Sequence, residues 1–314
     1  MNIGSVNALT IITAGSTYLD IDAYACMVAL AELLKLRGEN AVAFSTAPCN
    51  YSVADFLIKE NQVVRKIPAK CKKTDEKYII VDVSDPGFIG EAVPLDRVVE
   101  VYDHHTGFEK YWDEKIGDGA HIEFIGAAAT LIFREWKKAG LVDKMSCNTA
   151  MLLIAAILDN TLNLTSQNTT KEDKDAFKEL CILADVGDEW RNFYFSEVQK
   201  KIESDLKNAL LKDIKKIGDN PILPSRVAQI CIWDAEKIVE RLPEIKTWFG
   251  EDGGSWMINL IDIKRNCSYF VCDDVDRQEK LSMVFGIRFE DGFAKLPGSY
   301  LRKEIIKKTQ NQGD

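Results

Sequence analysis

The chain has 314 residues, 46% of them hydrophobic and 28% charged, and a formal net charge of −9. That composition is globular and long enough for two ordinary domains, and no apolar run approaches the roughly eighteen residues needed to cross a bilayer, so membrane insertion is not expected. The acidity argues against stable nucleic-acid binding, since phosphate contacts need a basic face to release counterions, but it leaves room for a small anionic substrate at a local site.

The N-terminal stretch MNIGSVNALTIITAG lacks the basic start and small-residue cleavage site of a secretory signal. Its apolar part reads as a buried strand, and a cytoplasmic location is expected. From residue 8 to residue 160, short apolar runs alternate with helical patterns: ALTIITAG, DAYACMVALAELLKLRG, AVAFS, KYIIVDV, RVVEVYD, GAAATLIFREWKKAG and MLLIAAILD. The alternation predicts an α/β fold with a parallel sheet covered on both faces. Helical patterns then run from Lys171 to about Leu211, and the charge-rich EVQKKIESDLKNALLKDIKK reads as a connector helix.

A smaller α/β unit follows. Its elements are the strand RVAQICIW, the helix DAEKIVERLPEIKTWF, the strands SWMINLIDI and CSYFVCDD, the helix DRQEKLSMVF and the closing KLPGSYLRKEIIKK. The expected division is a first domain over 1–190, a helical linker over 191–212 and a second domain over 213–314. Cys26, Cys49, Cys71, Cys147, Cys181, Cys231, Cys267 and Cys272 lie mostly in apolar segments with no C-x-x-C pair, and read as reduced core thiols. The tract DDVDRQE reads as a strand exit and helix start, where the helix dipole favours carboxylates, and the tail KTQNQGD as frayed.

All strands of a parallel sheet point one way, so the residues after each apolar run gather on one edge, where open α/β folds place their ligands. Asp20 and Asp22 follow ALTIITAG, Asp82 and Asp85 follow KYIIV, and Asp103, His104 and His105 follow RVVEVY; Asp159 closes MLLIAAIL. Singly, each has a plainer explanation: Asp20 or Asp22 as a helix cap, Asp85 and Asp159 as turn residues. Together, converging carboxylates would repel one another and raise their own pKa values unless cations sat between them. Oxygen ligands with one or two imidazoles suit manganese, cobalt or magnesium better than structural zinc, and this many carboxylates points to two metals.

These motifs resemble the DHH phosphoesterase superfamily, in the branch of the manganese-dependent (family II) inorganic pyrophosphatases and their exopolyphosphatase relatives. The matching pieces are 20-DID-22, 79-IIVDVSDP-86, 103-DHH-105 and 157-ILDNTLNLTS-166, in the family's order. In the second half, 213-DIK-215 and 296-LPGSYLRKEII-306 resemble the segments of the branch's substrate domain that bind phosphate. The resemblance implies an N-terminal DHH domain holding two divalent metal ions, Mn2+ (or Co2+ or Mg2+), with Asp20, Asp22, Asp82, His104 and Asp159 as ligands and Asp82 bridging. It further implies that His105 faces substrate, Asp103 orients a histidine, and Lys215, Arg302 and Lys303 bind phosphate. A small phosphate-containing substrate and a homodimer paired through the N-terminal sheets are implied as well.

Three positions depart from the branch. Ser16 stands where pyrophosphatases carry a ligand histidine, Leu301 where serine is usual and Glu304 where lysine is usual. His121 matches no ligand position and reads as a loop residue. The leading expectation is hydrolysis of phosphoanhydride bonds in pyrophosphate or short polyphosphate. The alternatives are a phosphodiesterase acting on oligonucleotides or cyclic dinucleotides, disfavoured because 253-GGSW-256 lacks the G-G-G-H histidine of those branches, and an inactive phosphate- or nucleotide-binding regulator.

Overall fold

Short, mostly apolar runs form the strands of the first unit, and Thr10–Thr13 is buried from end to end. In the computed structural model, which describes residues 8–66, 76–91, 93–218, 220–251 and 253–310, the chain divides into Met1–Tyr194 and Phe195–Asp314. Cys71 and the end of the tail, residues 311–314, lie outside the described residues.

The first unit runs β1 (Thr10–Thr13), α1 (Ile21–Leu36), β2 (Ala41–Ala43), β3 (Lys77–Val81), β4 (Val98–Asp103), α2 (Glu109–Ile116), β5 (Ala120–Ile122), α3 (Ala128–Ala139), α4 (Cys147–Asn160), α5 (Lys171–Ala184) and the first part of α6 (Asp188–Ser204). Its five strands pair in the order β2-β1-β3-β4-β5, all parallel. The α/β class expected from the alternating runs is the one observed. Helix α1 packs against the sheet and against α3 and α4, so it is buried almost all round, which its apolar sequence permits. Among the residues of the sheet, Ile11, Ile80 and Val101 pack with Trp112 of α2. The indole N–H of Trp112 donates to the Ser84 carbonyl at 2.6 Å, which ties α2 to the loop after β3. Helix α2 and strand β5 were not expected from the sequence: EKYWDEKI buries only Trp112, and three residues make a weak strand signal.

The second unit takes the rest of α6, then α7 (Leu206–Lys212), β6 (Lys215–Lys216), β7 (Arg226–Ile232), α8 (Glu236–Val239), α9 (Leu242–Gly250), β8 (Trp256–Asp262), β9 (Cys267–Cys272), α10 (Val275–Phe285), β10 (Phe293–Pro297) and α11 (Arg302–Gln310). The strand order is β10-β9-β8-β7-β6, with only β7 and β8 parallel. Two expected helices are each divided in two. DAEKIVERLPEIKTWF breaks ahead of Pro243, whose ring suits the first turn of α9 and would clash inside a continuous helix. The connector breaks at Asp205, which has φ −139°, and Lys215 and Lys216 leave it for a strand.

No helix among the described residues is long and apolar enough to cross a membrane. Cys26, Cys267 and Cys272 are buried free thiols, whereas Cys147 is exposed and Cys49, Cys181 and Cys231 are half-buried.

One buried polar knot fixes the helices behind the sheet edge. Asp173, fully buried in the first turn of α5, accepts hydrogen bonds from Gly126 N (2.9 Å), Thr130 Oγ1 (2.6 Å), and Thr170 N and Oγ1 (both 2.7 Å). A Cβ on Gly126 would lie 2.6 Å from the same carboxylate and 2.6 Å from Thr161 Cγ2. Asp173→Ala strands several buried donors and should lower unfolding stability by about 3 kcal/mol, read as a lower urea midpoint at constant slope. A midpoint equal to that of the parent would show that the knot is dispensable.

Candidate metal centre

Strand β3 ends at Val81, and the next residue turns out of the sheet. Asp82 has φ 56°, a left-handed conformation unusual for a non-glycine residue and common at functional sites. Its N–H still donates to the Tyr102 carbonyl at 2.8 Å, so the β3–β4 ladder holds up to the point where the carboxylate leaves. One strand over, β4 ends at Asp103 and is followed by His104 and His105. Asp82, His104 and His105 consequently offer one ligand atom each within 4.8 Å of one another.

The His104 ring is oriented by its Nδ1, which lies 3.2 Å from the Ile125 carbonyl and must donate to it. Nε2 is left as the acceptor nitrogen, the usual arrangement of a metal-bound imidazole. It lies 3.4 Å from Asp82 Oδ1 and 3.9 Å from Asp22 Oδ2. Both His104 Nε2 and Asp82 Oδ1 are buried with no hydrogen-bond partner. Burial, reinforced by the charge of His105, pushes the His104 imidazolium down to about 4, so near pH 7 the bare lone pair of Nε2 faces Asp82 Oδ1. A cation between them resolves that contact, and the residues present fit a divalent ion.

The surrounding carboxylates carry the same strain. Burial, with the charges of Asp20, Asp22 and Asp103, holds Asp82 well above the usual carboxylate range. Burial and the neighbouring Asp20 raise Asp22 to about 7 and Asp159 to about 7. Asp22 is anchored by backbone groups: Oδ2 accepts from Ala128 N and Oδ1 from Ala129 N, each at 2.8 Å, at the start of α3. The Cys26 thiol, one helical turn on, donates to Asp22 Oδ1 at 3.4 Å. Asp20 caps α1 by accepting from Ala23 N at 3.0 Å. Asp159 accepts from Tyr194 Oη at 3.3 Å. After α4 the backbone makes a left-handed run through Leu162, Asn163 and Leu164, braced by Thr161 Oγ1, which accepts from Leu164 N at 2.9 Å and donates to the Ile157 carbonyl.

His105 has a different environment. Its Nδ1 donates to Asp103 Oδ1 at 2.8 Å, and its backbone N–H donates to the same oxygen at 3.1 Å. The hydrogen bond raises the His105 pKa. Burial works to raise Asp103, but the hydrogen bonds from His105 and Ser84 and the charge of His105 hold it below the usual range. The His105 side chain is 62% exposed, whereas that of His104 is 7% exposed, so the adjacent imidazoles face different surroundings.

Asp82, His104 and His105 thus form one cluster bordered by Asp22, with Asp20 and Asp159 joined to it by charge. Lys215, Arg302 and Lys303 belong to the second unit. Lys215 and Lys303 are exposed, while the Arg302 guanidinium is 12% exposed and held by Asp213, with Nη1 2.5 Å from Oδ2. Ser16 is exposed and bonded to the Phe88 carbonyl through its N–H (3.0 Å) and hydroxyl (3.2 Å). His121 lies in β5, not in a loop, and stacks on Tyr102 at 4.5 Å between ring centroids. Sequence reasoning missed the Ile125 carbonyl, the Ala128 and Ala129 amides, and Tyr194. Of the missed contacts only Cys26, four residues after Asp22 on a helix, left a spacing that could have been read.

No family model matches the chain. An Exiguobacterium protein named "probable manganese-dependent inorganic pyrophosphatase" is 24% identical over 311 residues, covering 95% of this chain and 96% of its own. A Lactobacillus helveticus protein of the same name is 23% identical over 301 residues, covering 91% and 93%. The crystal structure of a candidate family II inorganic pyrophosphatase of Methanococcus jannaschii superposes with a TM-score of 0.61 at 18% identity, covering 96% of this chain and 98% of that one. An exopolyphosphatase-related protein from Bacteroides fragilis superposes with a TM-score of 0.53 at 11% identity, over 97% and 91%. The resemblance read from four motifs therefore extends along nearly the whole chain, in sequence and in fold.

Protons compete with a cation for carboxyls whose pKa values are raised to about 7, so metal uptake should release protons near neutrality. Calorimetric titration with Mn2+ is expected to give at least tenfold weaker affinity at pH 6 than at pH 8, and Asp82→Ala should abolish the binding. Affinity independent of pH would exclude Asp22 and Asp159 from the ion's surroundings.

Proposed function

We propose that the chain is a metal-dependent phosphohydrolase that cleaves phosphoanhydride bonds, with inorganic pyrophosphate or short polyphosphate as substrate and manganese as the preferred ion. The observation that carries this reading is the pair of buried, unpartnered ligand atoms His104 Nε2 and Asp82 Oδ1, 3.4 Å apart. The whole-length similarity to proteins named manganese-dependent inorganic pyrophosphatases supports the choice of ion and substrate.

In this reading Asp82 and His104, with Asp20, Asp22 and Asp159 around them, are the residues that would hold the divalent ions. Such ions, when bound, lower the pKa of a water and neutralise phosphoryl oxygens during in-line attack. The protein's own contribution is orientation and proton handling. Ile125 fixes the His104 tautomer, and the amides that open α3 hold Asp22 in place. Asp103 fixes the His105 ring with Nδ1–H committed inward, which leaves Nε2 to carry a proton to the phosphate. In the reaction a water oxygen bonds to phosphorus, the bridging P–O bond breaks, and the leaving phosphate takes up a proton. In the second unit, Lys215 and Lys303 are exposed cations of the kind that bind phosphate.

Purified protein should release phosphate from pyrophosphate or tripolyphosphate in the presence of Mn2+, and Asp82→Ala should abolish release while retaining the parent's circular dichroism. Absence of turnover on both substrates with Mn2+, Co2+ and Mg2+ would reject the reading. For His105→Asn, kcat should fall by about 10² or more, the scale of a lost proton-transferring group, with Mn2+ affinity changed less than tenfold. Loss of Mn2+ binding in that variant would instead make His105 a ligand.

A further inference from the structure

The residues gathered at the metal centre differ in what orients them. The Asp22 carboxylate is held by two amides of α3 and by the Cys26 thiol, and the His104 ring by the Ile125 carbonyl. The Asp159 carboxylate has a single hydrogen-bond donor among the described residues, the Tyr194 hydroxyl, 3.3 Å from Oδ1. A carboxylate with several donors keeps its direction when one is lost, whereas one with a single donor does not.

Tyr194 is fully buried and built into the first unit at several points. Its hydroxyl also donates to the Ser52 carbonyl, 3.0 Å away. Ser52 Oγ accepts at 2.9 Å from Ile21 N, the amide between Asp20 and Asp22, and donates to Asn50 Oδ1 at 2.7 Å. Asn50 N donates in turn to the Leu19 carbonyl at 2.7 Å. The Tyr194 ring stacks on Trp190, one turn back along α6, with centroids 5.8 Å and planes 6° apart, and Trp190 meets Phe56 edge-on at 6.1 Å. The loop after β2 and the first turns of α6 are thus joined twice, through Ser52 and through Phe56, and the Tyr194 oxygen is where they reach Asp159.

We infer that Tyr194 is a positioning residue of the metal centre, whose hydroxyl sets the direction of the Asp159 carboxylate and, through Ser52, ties it to the Asp20–Asp22 segment. The inference deepens the metal-dependent reading above and rests on Asp159 being among the ion's ligands. A buried tyrosine hydroxyl needs a hydrogen-bond partner for the fold alone, but the Ser52 carbonyl already supplies one. The second contact, to a carboxylate, is the one that the fold does not require. Outer contacts that orient a ligand in this way change metal affinity by roughly 10- to 100-fold when removed.

Mn2+ affinity of the full chain should be measured calorimetrically at pH 8 in the parent, Tyr194→Phe, Asp159→Asn and the double variant. Tyr194→Phe keeps the ring and its stack on Trp190 and removes only the oxygen, and it is expected to weaken Mn2+ binding by about tenfold. In the Asp159→Asn background the same change should alter affinity by less than about twofold, because a residue that acts through Asp159 has nothing left to act on. A purely structural role would give the same loss in both backgrounds. At saturating Co2+, the visible absorption of Tyr194→Phe should differ from that of the parent, since a displaced ligand changes the coordination geometry. Parent-like affinity and absorption in Tyr194→Phe, or an equal loss in both backgrounds, would overturn the inference. Where Asp159→Asn binds too weakly to titrate, the Co2+ spectra decide: a changed spectrum in Tyr194→Phe supports the role and an unchanged one overturns it. A parent that binds no divalent ion overturns the metal reading itself and the inference with it, whereas a parent that binds beside an unaltered Tyr194→Phe overturns the inference alone.

Discussion

Two buried carboxyls and a neutral imidazole share one edge of a parallel sheet, and the rest of the first unit is arranged to keep them there. Left to themselves these groups would protonate, swing toward water or part company. Each is prevented from doing so by a backbone contact: the Ile125 carbonyl on His104, the Ala128 and Ala129 amides on Asp22, and the β3–β4 ladder running up to Asp82. Buried polar groups held this firmly and still unpaired are uncommon in proteins, and they are most readily understood as the coordination shell of an ion.

The same contacts serve the fold. Asp22 closes the N-terminus of α3 and Asp20 closes that of α1, where helix dipoles favour negative charge. The plain explanation of these residues as helix caps and the metal-centre explanation are therefore compatible, since a carboxylate oxygen has lone pairs for both. In the second unit the balance differs: there the Asp213 carboxylate faces the Arg302 guanidinium and Glu304 accepts from a backbone amide, so both are answered within their own unit.

How much of this could be read from the sequence follows from the range of each interaction. Asp82 and His104 were legible because they lie just past the ends of the mostly apolar runs KYIIV and RVVEVY, and parallel strands deliver their C-terminal ends to one edge. The breaks at Pro243 and Asp205 were missed because an unbroken amphipathic pattern outweighed one local disruptor. The pairing of Arg302 with Asp213 was illegible for a different reason. The two are 89 residues apart, and nothing in LPGSYLRK signals that its arginine is already engaged. A basic motif reports the charge that it carries and not the charge left over once the chain has folded.

The left-handed run after α4 has a consequence for how the first unit can vary. Leu162 and Leu164 have no conformational reason to be there, since glycine would adopt the same angles without strain, and each such residue costs on the order of 1–3 kcal/mol. Thr161 braces both ends of the run and Leu162 is buried, so the bend behaves as one rigid hook whose pieces cannot be exchanged singly. The hook follows directly on the last turn of α4, which carries Asp159, so a change in its length would bear first on the helix end that presents that carboxylate.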